Sequence, residues 1–270
     1  MQKIRIASDL HCCMWGNRNI DEDLFEVIPF TKEDKSSVLC IAGDTGLYSS
    51  FNDTIKPYLT SLSDRFKAVV LVSGNHEWYN SSEWYDEIGV WKYQALPENV
   101  YFLQDDYVII NEVVFIGSTL WTDFNSRDEI AMFHAEHNMS DFRCIKKREG
   151  DDRVLRVTPE DTIAKHMVSK RYIFDALKIF KDKKCVVITH HMPSVLCVDK
   201  QYEGSLLNYA FYSELGPEIV TACKPDIWIH GHTHSSVDVL VGKTNIICNP
   251  FGYKDREENR NYNPILIREV

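Results

Sequence analysis

The chain has no run of 18 apolar residues, no two cysteines at C-x-x-C spacing, no internal repeat, no low-complexity tract and no surplus of positive charge. Without the apolar run, no transmembrane helix is expected. The eight cysteines do not form a disulfide framework, because 270 residues are more than enough to bury a core without staples. Cys40, Cys185 and Cys248 sit inside apolar runs and read as small buried hydrophobes. The opening MQKIRIASDLH enters a strand-like run at once and lacks the apolar region of a signal peptide, so a cytoplasmic protein is expected. Lys and Arg number 30 against 40 Asp and Glu, a net charge of −10, which argues against a broad basic footprint for duplex nucleic acid or an anionic membrane. Anionic substrates stay open, since a bound metal inverts the local field whatever the net charge.

What is present is an ordinary globular composition, 44% hydrophobic and 26% charged, in a length that suits one α/β domain. No interdomain linker stands out, so residues 1–270 are expected to form a single domain with a charged insert near 125–158. Within that insert, RCIKKREGDDRVLRV (143–157) reads as a solvated loop, with a substrate-facing lid as the alternative. Short β-branched apolar runs predict strands at 4–8, 38–42, 69–73, 100–103, 107–110, 113–118, 186–189, 227–230, 237–241, 245–248 and 265–268. Helices are predicted over 21–28, 54–65, 82–94, 129–138, 159–180 and 213–222. The longest of these has Thr158 as N-cap, Pro159 in its first turn, and Glu160 and Asp161 placed for the helix dipole. Strands and helices alternate early, whereas strands follow strands at 100–118 and 227–268, which predicts mixed sheets with helices outside.

Five polar segments each follow a predicted strand, where α/β sheets present ligand groups. Asp9 and His11, in Ser8-Asp9-Leu10-His11, are two apart, so an extended chain would aim a carboxylate and an imidazole to one side. Gly43-Asp44-Thr45-Gly46 turns sharply and exposes Asp44. Gly74-Asn75-His76-Glu77 offers a neutral oxygen from Asn75 and an acid or base from His76. In Thr189-His190-His191 the adjacent imidazoles would face opposite ways, leaving one direct ligand. In Gly231-His232-Thr233-His234 the two histidines share a face as Asp9 and His11 do, while His230 before them reads as structural. Each segment alone is also compatible with a capped turn or a polar strand end. Together they supply Asp, Asn and His donors in an oxygen–nitrogen set that suits Mn²⁺, Fe or Zn²⁺ without any thiolate.

The order DLH, GDTG, GNHE, THH, GHTH resembles the calcineurin-like metallophosphoesterase superfamily over residues 9–234. GNHEWY, FIGSTLWTDF and CNPFGY look closest to small bacterial and phage-type members. The resemblance implies an α/β fold, a four-layer α-β-β-α sandwich of two mixed sheets. It also implies two divalent metal ions, Mn foremost, with Fe, Zn or Ni as alternatives. Asp9, His11 and His234 would hold one ion, Asn75, His190 and His232 the other, and Asp44 would bridge them. A bridging hydroxide between ions about 3.5–4 Å apart would attack phosphorus. His76 would then be the general acid. His191 would touch substrate or orient His190. Arg143 is a candidate bidentate phosphate contact, or else pairs with Asp141 at the surface. Phe251 stands where related sequences often carry arginine, which removes a phosphate contact. Cys12 and Cys13, next to His11, leave redox sensitivity of the site open.

The function expected is a phosphodiesterase or phosphomonoesterase acting on a small molecule or nucleotide. A nuclease on the same scaffold is the alternative, followed by a non-catalytic interaction module and a protein phosphatase. Trp78, Tyr79, Trp84, Tyr85 and Trp91 offer a base-stacking face, but Trp84, Ile88 and Trp91 also fit one helical stripe packed on the core.

Overall fold

In the computed structural model, residues 1–15, 20–81, 84, 95–150, 153–221 and 224–270 are described. The strands in chain order are β1 (Lys3–Ala7), β2 (Ser37–Ala42), β3 (Ala68–Val72), β4 (Val100–Phe102), β5 (Asp106–Ile110), β6 (Val113–Ser118), β7 (Lys146–Glu149), β8 (Arg153–Arg156), β9 (Lys184–Thr189), β10 (Ile227–His230), β11 (Val237–Val241), β12 (Thr244–Cys248), β13 (Gly252–Tyr253), β14 (Glu257–Glu258) and β15 (Ile267–Glu269). Runs such as VLCIA and AVVLV are buried along their whole length, as strands covered on both faces must be.

Two mixed sheets result. The first has order β15-β1-β2-β3-β4, the second β11-β12-β10-β9-β6-β5. In the first, β1 to β4 are parallel and β15 closes the edge antiparallel. In the second, β12, β10, β9 and β6 are parallel, with antiparallel β11 and β5 at the two edges. The sheets pack face to face through Ile6, Cys40 and Val70 on one side and Phe115, Ile188 and Ile229 on the other. The outer face of the first sheet is covered by the helices Ile20–Val27 and Lys56–Arg65, whose Val27, Tyr58, Leu59 and Leu62 meet Leu39, Val69 and Leu71. The helices Pro159–Ile179 and Gly216–Thr221 cover the second sheet through Ile173, Leu177 and Ile219. The architecture is therefore the expected four layers, helix–sheet–sheet–helix.

The other helices are Glu129–Asn138 and the short Asp141–Cys144. The predicted helix over 82–94 lies outside the described residues apart from Trp84. Residues 146–156, read from sequence within a solvated loop, instead contain an antiparallel hairpin, β7 with β8. Its strands are charged and mostly exposed, so no apolar alternation marks them. Phe124 to Arg127 form a left-handed turn, with φ between 49 and 68° at all four residues. Among the described residues, no helix is long and apolar enough to cross a membrane.

Candidate metal centre and cleft

The parallel strands β1, β2 and β3 of one sheet and β9 and β10 of the other end on the same side of the molecule. The five polar segments follow these ends and converge. Asp9, His11 and His234 offer ligand atoms within 4.8 Å of one another, as do His11, Asp44 and His76, and Asp9, Asp44 and His190. His11 Nε2 lies 3.2 Å from His234 Nε2, and His234 Nε2 lies 3.6 Å from Asp9 Oδ1. Asn75 Oδ1 is 2.9 Å from His190 Nε2. Asp44 stands between the groups, Oδ2 at 3.7 Å from His11 Nε2 and Oδ1 at 3.5 Å from His190 Nε2.

The way the paired residues come together differs from the sequence-based expectation. Asp9, His11, His232 and His234 are not extended: φ is 53, 46, 71 and 51°. Strand alternation therefore does not aim them. Left-handed turns do, and Asp44 shares that conformation at φ 54°. Five non-glycine residues in so small a space at positive φ mark stored backbone strain of order 1–3 kcal/mol each, which persists only where the surroundings enforce it. The enforcing contacts are visible. The His232 N–H donates to Asp9 Oδ1 at 3.0 Å, the His76 N–H donates to Asp44 Oδ1 at 2.9 Å, and the Ser8 hydroxyl donates to Asp9 Oδ2 at 2.5 Å.

Burial and neighbouring histidines favour the neutral form of His11, His76, His190 and His232, the form that ligates metal. Burial, and then the neighbouring His76, His234 and His190, lowers His11 well below the usual histidine range. His232 and His190 are pushed down chiefly by burial as well. His76 falls to about 3, by burial and by its neighbours His190 and His234. The carboxyl of Asp44 is driven well up by burial, then by Glu77 and Asp9. His232 Nε2 is buried with no hydrogen-bond partner. Clustered lone pairs, buried carboxyls and an orphaned ring nitrogen are a charge and hydrogen-bond deficit that divalent cations would fill, so the donor set fits metal ions.

Three residues support this cluster without having been assigned a role from sequence. Glu77, wholly buried, accepts the backbone N–H groups of Gly74 at 2.7 Å, Thr45 at 2.7 Å and Asp44 at 3.2 Å, which ties two of the motif turns together. Burial pushes its carboxyl up to about 7, against those hydrogen bonds. Asp141 is also buried and accepts from Asn75 Nδ2 at 2.7 Å and from the Tyr79 hydroxyl at 2.5 Å. That leaves the Asn75 carbonyl oxygen, not its amide, facing His190. Tyr253 shares a hydrogen bond with His76 Nε2 at 3.0 Å, and Tyr79 stacks on the other side of the His76 ring at 4.2 Å between centroids. The signals that could have exposed these roles were GNHE itself for Glu77 and the two polar loops for Asp141 and Tyr253. Their partners lie 32, 66 and 177 residues away.

Other candidates lie elsewhere. His191 is buried behind the cluster, its Nδ1 3.2 Å from the Thr119 carbonyl and its ring against His232 and Trp121. It is not on the wall of the cleft. Arg143 is exposed and donates to Ser140 Oγ at 3.2 Å, while Asp141 is engaged by Asn75 and Tyr79. Phe251 packs on Trp15 and Tyr262. Cys12 is buried and Cys13 half-buried, and burial raises both thiols, which disfavours the reactive thiolate. Trp78 and Trp84 are core residues; Tyr85, Ile88 and Trp91 fall outside the described residues. In front of the cluster opens a cleft of about 440 Å³, floored by Asp44, Asn75, His76, His232 and His234.

A two-sheet sandwich that gathers Asp, Asn and His donors at strand ends, beside an open cleft, defines a metal-dependent hydrolytic scaffold. The sequence model of the calcineurin-like phosphoesterase family matches residues 2–236, and the chain belongs to that family. An uncharacterised protein of Acanthamoeba polyphaga mimivirus is 29% identical over 289 residues, covering 100% of this chain and 97% of the viral one. Among solved structures, phosphopantetheinyl hydrolase from Mycobacterium tuberculosis superposes with a TM-score of 0.72 at 16% identity, over 99% of this chain and 95% of its own. A second, a protein from Thermus thermophilus, gives a TM-score of 0.50 at 12% identity, over 92% and 89%. At these identities the structural likeness speaks for the fold.

Proposed function

We propose that the chain, acting as one catalytic unit, hydrolyses small phosphoesters with the help of two divalent ions, Mn²⁺ foremost. Asp9, His11 and His234 would hold one ion, Asn75, His190 and His232 the second, and Asp44 would bridge. The observation that carries this reading is the placement of Asp44, whose two oxygens turn toward different histidines, His11 and His190. Such a pair of ions, when bound, supplies an acidified water and a positive clamp for phosphoryl oxygens.

The chain's own residues do the remaining work. Glu77 fixes the backbone from which Asp44 projects. Asp141 sets the Asn75 amide so that its oxygen points at the centre. His191 buttresses the His232 ring from behind. His76 lines the cleft against Tyr79 and Tyr253, and its neutral imidazole donates an N–H hydrogen bond to the departing oxygen. Arg143 does not line the cleft, but donates to Ser140, which does.

The test is hydrolysis of a chromogenic phosphodiester and the matching monoester by metal-stripped protein, before and after adding Mn²⁺. Turnover should require metal and vanish in Asp44→Ala together with bound metal. Full metal content in Asp44→Ala refutes the bridge. Turnover that ignores metal altogether refutes the mechanism.

A further inference from the structure

The cleft extends well beyond the metal centre, and its outer part has an unusual charge pattern for a phosphate-handling site. Among the described residues that line it there is no lysine and no arginine. Besides Asp44 and Asp141 at the metal centre, two further carboxylates line it, Asp199 and Glu257. Asp199 is fixed in place, its Oδ1 accepting the Gln201 N–H at 3.0 Å as it caps the short helix Lys200–Tyr202. The rest of that region is uncharged, with apolar side chains such as Met139, Met192, Leu207 and Phe211 beside polar ones such as Ser205 and Asn208. Phe211 lies against the His232 ring at 4.4 Å, so the apolar lining begins at the metal centre itself.

From these walls, and resting on the phosphoesterase reading above, we infer that the site selects esters with one phosphoryl group whose organic arm is uncharged or cationic. Substrates carrying a second anionic group are excluded. Divalent ions set against Asp9 and Asp44 leave a positive centre suited to one phosphoryl group. A second phosphate or sulfonate a few ångströms out would meet Asp199, Glu257 and uncharged side chains, with no cation among the described lining residues to offset its charge. Like-charge juxtaposition of this kind is a means of rejection as well as a failure of attraction. Nucleoside triphosphates, polyphosphates and nucleic acid strands are disfavoured on the same ground. An alkyl or quaternary-ammonium arm would bury apolar surface against Met139, Met192, Leu207 and Phe211 at little polar cost.

Three p-nitrophenyl phosphodiesters that differ only in the second arm test this: hexyl, choline and 3-sulfopropyl. The leaving group is the same, so differences in kcat/KM report the arm. Each arm is also presented as its methylphosphonate ester, in which methyl replaces the p-nitrophenoxide leaving group, with binding to the Mn²⁺-loaded protein measured by calorimetry. The hexyl and choline compounds should exceed the sulfopropyl compound at least tenfold in both kcat/KM and affinity. The double variant Asp199→Asn, Glu257→Gln should close most of that gap by improving the sulfopropyl compound. Equal or better handling of the sulfopropyl arm by the unaltered protein overturns the inference, and so does a gap that the double variant leaves intact. If the phosphonates bind in the expected order and no ester is turned over, the phosphoesterase reading fails while the selectivity of the cleft is supported.

Discussion

At the residue scale, the candidate site depends on what is missing from two positions. A Cβ on Gly74 would lie 2.1 Å from Asp44 Oδ1 and 2.7 Å from His190 Cε1, inside the van der Waals limit of both. Gly74→Ala must therefore push Asp44 or His190 out of place. Its metal content, measured by plasma mass spectrometry after equilibration with Mn²⁺, should fall below one ion per chain, and turnover should fall with it. Normal loading would mean that Asp44 does not need its present position. Gly43, at φ 83°, is similarly confined, its notional Cβ 2.4 Å from His190 Nδ1. His76 is a different case: its ring opens on the cleft and meets Tyr79, Tyr253 and, edge-on, His11. His76→Ala should keep its metal and lose about 10²–10⁴-fold in kcat, the usual range for a positioned acid or base. An unchanged rate on a substrate with a poor leaving group would remove His76 from that role. These residues were readable because each sits within four residues of a strand end in a compact motif. Glu77, Asp141 and Tyr253 were not, because their roles consist of contacts with distant segments that no local pattern encodes.

At the element scale, the parts of the fold that could be read from sequence are those whose burial writes a pattern. β2 and β3 are buried at every position, and the β-branched runs show it. The helix Pro159–Ile179 was legible from its first turn. Thr158 Oγ1 accepts the Asp161 N–H while Asp161 Oδ2 accepts the Thr158 N–H at 2.9 Å, a reciprocal capping box. Thr158→Ala should cost about 1 kcal/mol, since it removes the capping hydroxyl. Urea unfolding would read this as a lower midpoint with unchanged slope, whereas an unchanged midpoint would show that the cap is redundant with Asp161. The hairpin β7–β8 escaped notice for the converse reason. KKRE and RVLR bury almost nothing, and they meet through backbone pairing. A strand made by pairing alone has no hydrophobic period to detect. The pairs at the site differ again: alternation correctly brought Asp9 and His11 to mind together, but left-handed turns, which alternation does not describe, place them.

At the scale of the whole molecule, a buried charge cluster far from the cleft ties the chain's start, middle and end. Asp34, fully buried, accepts from Arg5 Nη1 at 2.6 Å, Arg65 Nη2 at 3.0 Å and the Thr31 hydroxyl at 2.6 Å. Arg5 Nη2 also donates to the carbonyls of Pro29 and Pro264, and Arg65 Nη2 to that of Ile28. Strand β1, the segment before β2, the helix Lys56–Arg65 and the C-terminal approach to β15 thus share one carboxylate. Sequence did not reveal this, because a lone Arg5 inside KIRIA reads as an ordinary polar position on a strand. Asp34→Asn removes the charge and leaves two guanidinium groups buried without it, which should cost about 3–5 kcal/mol at neutral pH. The pH dependence follows from the direction of the Asp34 shift. Burial opposes ionisation, but hydrogen bonds from Thr31 and Arg65 and the charge of Arg5 outweigh it and hold the carboxyl below its usual value. A carboxyl whose folded pKa is depressed stabilises the fold fully above its unfolded value, about 4, and loses that contribution as pH falls through the lower folded value. The stability gap between the natural chain and Asp34→Asn, measured by urea unfolding from pH 7 downward, should therefore hold steady to about pH 5 and narrow below pH 4. A gap that stays constant to pH 3 would mean that the carboxylate charge is not what joins these segments, and that hydrogen bonding of either form suffices.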